Sequence, residues 1–371
     1  MYSFETRPSR FPYRQGPSLH RHPLDHSIAP PLPAELIKHI LQLAVEDDGF
    51  MGNFEGNPHF TYPVLRNASL VSKAWSGPAC EILWRRMELR SGKAADAVVG
   101  SPALGRYRTE EVTLGMTLSD CKSTLTEVLS ALVGIKSLEV GHCVGTVTTD
   151  FLYIPSLQNL SSLLLRGPII ETSTRPLNFT LPQHLLHLTF SARFDCINTA
   201  TSLITGSART IRSLDLQHLD QEYLGQRFRL RDNHPVPLPN LVTFKFNETS
   251  KEYGFSTFPH ASKLKNLAIT AWEPVEVQTT LSKLALPLRS LELTSITRSY
   301  QPEHYPIDEM SGPMCQVLEE ALRVSVGLRA LEVLYVGWTD RYLARFPEGK
   351  ALTLTMKKRG VRMEGNPADD D

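Results

Sequence analysis

Cysteine is scarce in this chain and poorly spaced for chemistry. The five residues, at 80, 121, 143, 196 and 315, are odd in number, and no two form a C-x-x-C pair. That argues against a disulfide scaffold or a zinc site and fits a reducing compartment. Net charge is absent too, with 39 Lys and Arg against 39 Asp and Glu. No overall field therefore draws the chain to DNA, RNA or an anionic membrane. The sequence lacks an uninterrupted apolar run of the roughly eighteen residues a membrane helix needs. It also lacks an apolar stretch near its start that would read as a secretory signal. Cytoplasm or nucleus is the expected location. What is present is an ordinary soluble composition, 41% hydrophobic and 21% charged over 371 residues. That suffices for one large elongated domain or two compact ones.

Local catalytic motifs are missing as well. Ser91-Gly92-Lys93 resembles the end of a phosphate loop, but Met87 stands where the first glycine belongs and Ala94 where Ser or Thr should follow. His184 and His187 lie three apart, and no nearby Cys or Glu completes a metal site. Cys143, after His142, reads as a small core residue rather than a nucleophile. Trp75 and Trp84 read as packing or interface anchors. The basic run Lys357-Lys358-Arg359 with Arg362 reads as solvated surface, offset by Asp369, Asp370 and Asp371. The expectation is a chain with no catalytic residue, cofactor or metal, and not an enzyme.

Residues 1–30 are rich in Pro, Arg, His and Ser and read as a disordered tail. Pro33 suits the first turn of a helix, and Leu36, Ile37, Ile40, Leu41 and Ala44 then recur at helical spacing. Glu46 to Pro63 reads as a loop. Pro63 opens a second helix with Val64, Ala68, Val71 and Trp75 on one face. Gly77-Pro78 is expected to end it, and a short third helix carries Ile82, Leu83 and Trp84.

From about residue 107 a unit of the form apolar-x-x-apolar-x-apolar keeps returning. Ile135-Lys-Ser-Leu138-Glu-Val140 and Leu160-Ser-Ser-Leu163-Leu-Leu165 are two copies. Others centre on Leu188, Leu214, Phe244, Leu267, Leu291 and Leu331, with weaker ones at Val112 and Leu352. Most copies are spaced 23 to 26 residues apart, with one step of 40 before Leu331 that suggests a longer helix. That period is typical of leucine-rich repeats. Helices are expected over Leu125–Val133, capped by Ser119 or Asp120, and around Val317–Ser325. A unit this short cannot bury its own apolar face, so neighbours must stack. The expected fold is α/β: a short all-helical segment, residues 31–90, then an irregular solenoid with a parallel sheet, residues 107–360. Residues 361–371 are expected as a disordered tail.

Leu32-Pro33-Ala34-Glu35-Leu36-Ile37-Lys38-His39-Ile40-Leu41 resembles the opening helix of an F-box. Ser69-Leu70-Val71-Ser72-Lys73-Ala74-Trp75 resembles its central segment and Leu83-Trp84-Arg85 its closing Leu-Trp. Together with the repeats, the chain looks like the fungal F-box proteins with a leucine-rich-repeat-like C-terminal region. The resemblance implies a substrate-recognition subunit of an SCF-type cullin–RING ubiquitin ligase. The F-box would dock a Skp-type adaptor, and through it a cullin, while the repeats hold a protein target; no nucleic acid or membrane partner is implied. Leu32, Pro33, Leu36, Ile40, Leu41, Leu70, Val71, Trp75, Leu83 and Trp84 match the family's apolar framework, some for the core and some for the adaptor. The alternative is a non-catalytic scaffold whose F-box-like helices only cap the solenoid. Two features depart from the family: the first loop is long, and the repeats lack a regular Asn or Cys after the strand.

Strand residues alternate sides. With the central leucines inward, Glu139, Arg166, Asp215, Lys245 and Glu292 are expected on one open face with charges alternating in sign, together with Leu164, Thr189, Gln217, Asn247, Thr270 and Thr294. That face is the candidate target-binding surface.

Overall fold

Repeated units with one inward apolar position per strand predict parallel strands laid side by side in chain order, and that pairing is observed. The structure is a computed structural model. It describes residues 32–50, 63–115, 124–141, 147–166, 169–170, 180–191, 194–195, 197–218, 236–247, 261–271, 274–284, 286–295, 307–336 and 343–364. The chain divides into two compact units, Met1–Ala79 and Cys80–Asp371. The expected N-terminal tail lies outside the described residues.

The first unit is helical. Helix α1 spans Ala34–Phe50, α2 Pro63–Val71, and α3 Lys73–Arg85, whose last residues belong to the second unit. The Pro33 carbonyl starts α1, accepting the N–H groups of Leu36 and Ile37. The small core contains Ile37, Leu41, Leu65 and Ala68, all buried, and α1 packs on α2. Two expectations are corrected. Glu46–Phe50 continues α1 rather than opening a loop, since no proline stands before Pro58 to interrupt the i→i−4 bonds. Gly77-Pro78 does not end a helix either. The break falls at Ser72, whose carbonyl accepts the N–H groups of Trp75 and Ser76 and so starts α3. Pro78 then forgoes a single intrahelical bond.

The second unit is α/β with a large parallel sheet. Its strands are β1 (Arg86–Leu89), β2 (Glu111–Leu114), β3 (Ser137–Val140), β4 (Val147–Thr148), β5 (Ser162–Arg166), β6 (Ile169–Ile170), β7 (His187–Ser191), β8 (Phe194–Asp195), β9 (Ser213–His218), β10 (Thr243–Asn247), β11 (Asn266–Ala271), β12 (Ser290–Ser295), β13 (Val333–Val336) and β14 (Arg362–Glu364). Eleven of them pair in chain order, β1-β2-β3-β5-β7-β9-β10-β11-β12-β13-β14, and β4-β6-β8 form a separate three-stranded sheet. Every described pairing is parallel.

Leu138, Leu163, Leu188, Leu214, Phe244, Leu267 and Leu291 stand directly opposite one another in register. Each is at most 1% exposed, and all share one core. The backbone carries a second ladder at the strand starts. The carbonyl of Glu110 accepts the N–H groups of Lys136 and Ser137, and that of Lys136 accepts those of Ser161 and Ser162. The pattern repeats through Ser161, Leu186, Arg212, Val242, Lys265 and Arg289. Each of these eight carbonyls thus uses both lone pairs, which satisfies the backbone at the entries to β3, β5, β7 and β9 to β13.

Five details differ from the sequence reading. The unit centred on Leu331 is shifted by three residues: β13 aligns Leu334 with Leu291, making the motif Leu331-Glu-Val-Leu334-Tyr-Val336. Leu352-Thr-Leu354 is not a strand but part of helix α9, defined below. The sheet also begins one repeat earlier than expected, with Met87 opposite Val112. Its last strand, β14, lies beyond residue 360, inside the stretch expected as a tail. The three-stranded sheet had no signal, because two-residue strands leave no periodicity to read.

The remaining α-helices among the described residues are α4 (Gly92–Val99), α5 (Leu125–Ala131), α6 (Ile197–Gly206), α7 (Pro274–Lys283), α8 (Ile307–Val324) and α9 (Pro347–Arg359). The Ser91 side chain accepts the Ala94 N–H and caps α4, so the Ser-Gly-Lys sequence serves a helix start. Thr124, rather than Ser119 or Asp120, caps α5 in a reciprocal capping box with Glu127. Because α5 stops at Ala131, Val133 falls off its apolar face and is 60% exposed. The 18-residue α8 fills the long step between β12 and β13.

Thr109 holds the place that Ile or Leu takes in other repeats, three residues before Val112. It is 1% exposed, and among the described residues its hydroxyl is the single buried side-chain polar atom without a hydrogen-bond partner. Thr109→Val keeps the shape and removes an unpaired oxygen, so it should stabilise the protein by about 1 kcal/mol. Urea unfolding measures this, and a loss of stability would contradict it.

Candidate protein-interaction surfaces

The first surface lies on α1 and α2. Helical spacing sends Ile37 and Leu41 into the small core, while Leu36 and Ile40 project elsewhere. Leu32, Leu36, Ile40 and Leu43 are 46%, 44%, 39% and 49% exposed. With steps of four and three residues Leu36, Ile40 and Leu43 form one stripe along the helix, and Leu32 lies just before its start. Leu70 and Val71, at the end of α2, are 78% and 72% exposed. Pro33 is exposed and Trp75 half-buried. Among the described residues nothing buries this stripe, which runs beside the core-facing Ile37 and Leu41, and such surfaces mark contact sites. Of the ten framework residues, Leu41 is a core residue of the first unit. Leu83 and Trp84 belong to the second unit, where Trp84 stacks on Tyr107 with ring centroids 6.3 Å apart. Leu43 completes the stripe and was missed by matching to the family pattern alone; its spacing from Ile40 was the available signal.

The second surface is the side of the large sheet opposite the core. Glu139, Asp215, Lys245 and Glu292 each follow a buried anchor and are half-exposed, and Arg166 is exposed at the end of β5. The structure brings all five onto this side. Their alternating signs pair within the face: Arg166 Nη1 lies 3.7 Å from Glu139 Oε1, and Lys245 Nζ lies 3.7 Å from Glu292 Oε2. The Lys245–Glu292 pair reaches across β11, over Ala268, which stands in register between them and is 3% exposed. A larger side chain there would block the bridge. Thr270, expected to be open, is 6% exposed; it stands between two strands on the sheet's interior, where a short side chain is shielded. Gln217, Asn247 and Thr294 have side chains outside the described residues. At the sheet's far end, a hydrogen bond to the Glu364 carboxylate raises the Tyr335 pKa, keeping the phenol protonated.

At the near end, Glu110 gathers cations. Lys136 Nζ lies 3.0 Å and Arg85 Nε 2.9 Å from its carboxylate. The Lys136 hydrogen bond, aided by Arg85 and opposed by desolvation, holds the Glu110 carboxyl below its usual range. This contribution to stability is present above the unfolded carboxylate pKa and is lost as pH falls through the lowered folded value. These partners are a structural tie between β1, β2 and β3.

Among the described residues no group of three metal-ligating side chains converges, and no helix is long and apolar enough to cross a membrane. His184 and His187 are exposed. Cys80 and Cys315 are free thiols, and burial, with Glu348 nearby, pushes the Cys315 thiol up to about 12; it is inert packing. Cys143 lies outside the described residues. No protein-family model, curated protein or solved structure matches the chain.

Proposed function

We propose that this chain is the substrate-recognition subunit of an SCF-type cullin–RING ubiquitin ligase, with no catalytic residue, cofactor or metal of its own. In this reading residues 31–90 act as an F-box. It docks a Skp-type adaptor and, through it, a cullin. The second unit is an irregular leucine-rich-repeat solenoid that holds a protein target. One observation carries the proposal: the exposed stripe Leu32, Leu36, Ile40 and Leu43, set against the buried Ile37 and Leu41. Among the described residues only one of the helix's two apolar rows is buried. Parallel strands in chain order, mostly 23 to 30 residues apart from anchor to anchor, support the repeat reading. The alternative reading is a non-catalytic scaffold whose F-box-like helices merely cap the solenoid.

Titration of purified Skp-type adaptor separates the two. The intact chain should bind it, and Leu36→Ala with Ile40→Ala should weaken binding at least a hundredfold, since apolar hot-spot truncations cost about 2 kcal/mol or more each. Both side chains are more than a third exposed, so unfolding by circular dichroism should change little. Equal affinity in a folded double variant would leave only the capping role.

Target binding is assigned to the open face. Arg166→Glu with Lys245→Glu should abolish target recruitment and leave the adaptor bound. The lost exposed ion pairs are worth roughly 0–1 kcal/mol each in stability. Recruitment measured by co-precipitation at an unchanged level would move the binding surface elsewhere on the second unit.

A further inference from the structure

The edge of the sheet where the strands begin is charged very differently from the chain as a whole. Backbone hydrogen bonds tie Arg212, Val242, Lys265, Arg289 and Glu332 into consecutive neighbours immediately before β9, β10, β11, β12 and β13. Just upstream, Asn240 Nδ2 donates to the Arg209 carbonyl at 2.7 Å and Lys263 Nζ donates to Asn240 Oδ1 at 2.7 Å. Arg329 lies in the turn that leads to β13. Arg209, Arg212, Lys263, Lys265, Arg289 and Arg329 are all exposed. Among the described residues of these five strand entries the one carboxylate is Glu332, 3.8 Å from Arg289. Six cations against one anion stand out in a chain whose totals are 39 and 39.

Helix dipoles do not account for the edge. Their effect fades within the last turn, whereas Arg212 lies six residues past the end of α6. Lys263 and Lys265 follow no described helix. Directly beside the cations runs a row of small polar residues, Ser213, Thr243, Asn266 and Ser290, in register across four strands. Within it Asn266 Nδ2 donates to Thr243 Oγ1 at 3.2 Å. Hydroxyls and amides offer both donors and acceptors, which suits a peptide backbone. From β9 to β13 the edge covers four strand spacings, about 19 Å, the length of about six residues of extended chain.

We propose that this edge docks an extended, Asp- and Glu-rich segment of a protein, its carboxylates on the cations and its backbone along the polar row. The inference deepens the target-receptor reading by naming the partner's chemistry, and it rests on that reading only for the partner's role.

The test is fluorescence anisotropy of the full chain with a labelled six-residue Asp/Glu peptide. The matching Asn/Gln peptide and a single-stranded oligonucleotide are the comparisons. The acidic peptide should bind at least tenfold more tightly than either and weaken as salt rises. Arg212→Glu with Lys265→Glu should reduce its affinity at least tenfold, whereas Lys73→Glu with Lys93→Glu should change it less than twofold. Binding no tighter than the amide peptide, insensitivity to the edge reversal, or preference for the oligonucleotide would each overturn the proposal. No adaptor is needed, so this test can fail with adaptor docking intact and succeed without it.

Discussion

Phe244→Ala should destabilise the second unit by about 3–5 kcal/mol, a large share of the roughly 5–15 kcal/mol that holds an ordinary domain together. Phe244 is 1% exposed and sits mid-sheet, opposite Leu214 and Leu267. It also stacks on Phe246, with centroids 4.9 Å apart and planes 13° apart, a contact worth about 0.5–1.5 kcal/mol beyond area burial. The cavity would open in a continuous core with strands fixed on both sides by main-chain bonds, so little collapse can refill it. Leu164, one residue past its own anchor and half-exposed on the opposite side of the sheet, is the comparison: Leu164→Ala should cost markedly less. Urea midpoints of the two variants decide the matter. Equal losses would mean that the ladder is not the structural spine.

Gly349→Ala should destabilise by about 3 kcal/mol, the upper end of the range for overpacking. Helix propensity predicts the opposite sign, since Ala is favoured over Gly by about 1 kcal/mol inside a helix. The steric argument wins because a Cβ at 349 would lie 2.2 Å from the Leu343 carbonyl oxygen and 2.9 Å from its carbon. Those atoms are backbone, and Leu343 itself is fully buried. Gly312 in α8 is the control. A Cβ there meets nothing nearer than 3.6 Å, so Gly312→Ala should be neutral or stabilising. Thermal unfolding of both variants checks the pair. A gain at both positions would show that α9 can move away from Leu343.

The repeat signal was legible because it is set by two strong rules. Strands alternate sides, and each short unit depends on its neighbours for burial, so one apolar position per repeat must recur. Leu138 through Leu291 could therefore be placed in order before any coordinates. The pattern failed where a second reading of equal quality existed. Leu328, Leu331 and Val333 match the motif as well as Leu331, Leu334 and Val336 do, and only pairing with β12 chooses between them. Leu352 and Leu354 resemble a strand, but they lie inside helix α9, which Pro347 opens and Gly360 closes at φ 70°. Met87 fell within the 31–90 segment expected to be all helical, although one 25-residue step back from Val112 reaches it. Of the candidate surfaces, the α1 stripe was readable as helical spacing. The ion pairs across the sheet were not, because Arg166 and Glu139, or Lys245 and Glu292, meet only through strand register. The basic edge was invisible for the same reason, its cations being scattered over 121 positions from Arg209 to Arg329.

The central claim is that α1 and α2 dock a Skp-type adaptor while the sheet unit presents a target. Affinity purification of the tagged chain from its native organism tests it most directly, with the Leu36→Ala, Ile40→Ala variant run beside it and both checked for folding. The account predicts that a Skp-type adaptor and a cullin copurify in stoichiometric amounts with the intact chain and are lost from the variant. An intact, folded chain that retains neither adaptor nor cullin, or a variant that retains both, would contradict it.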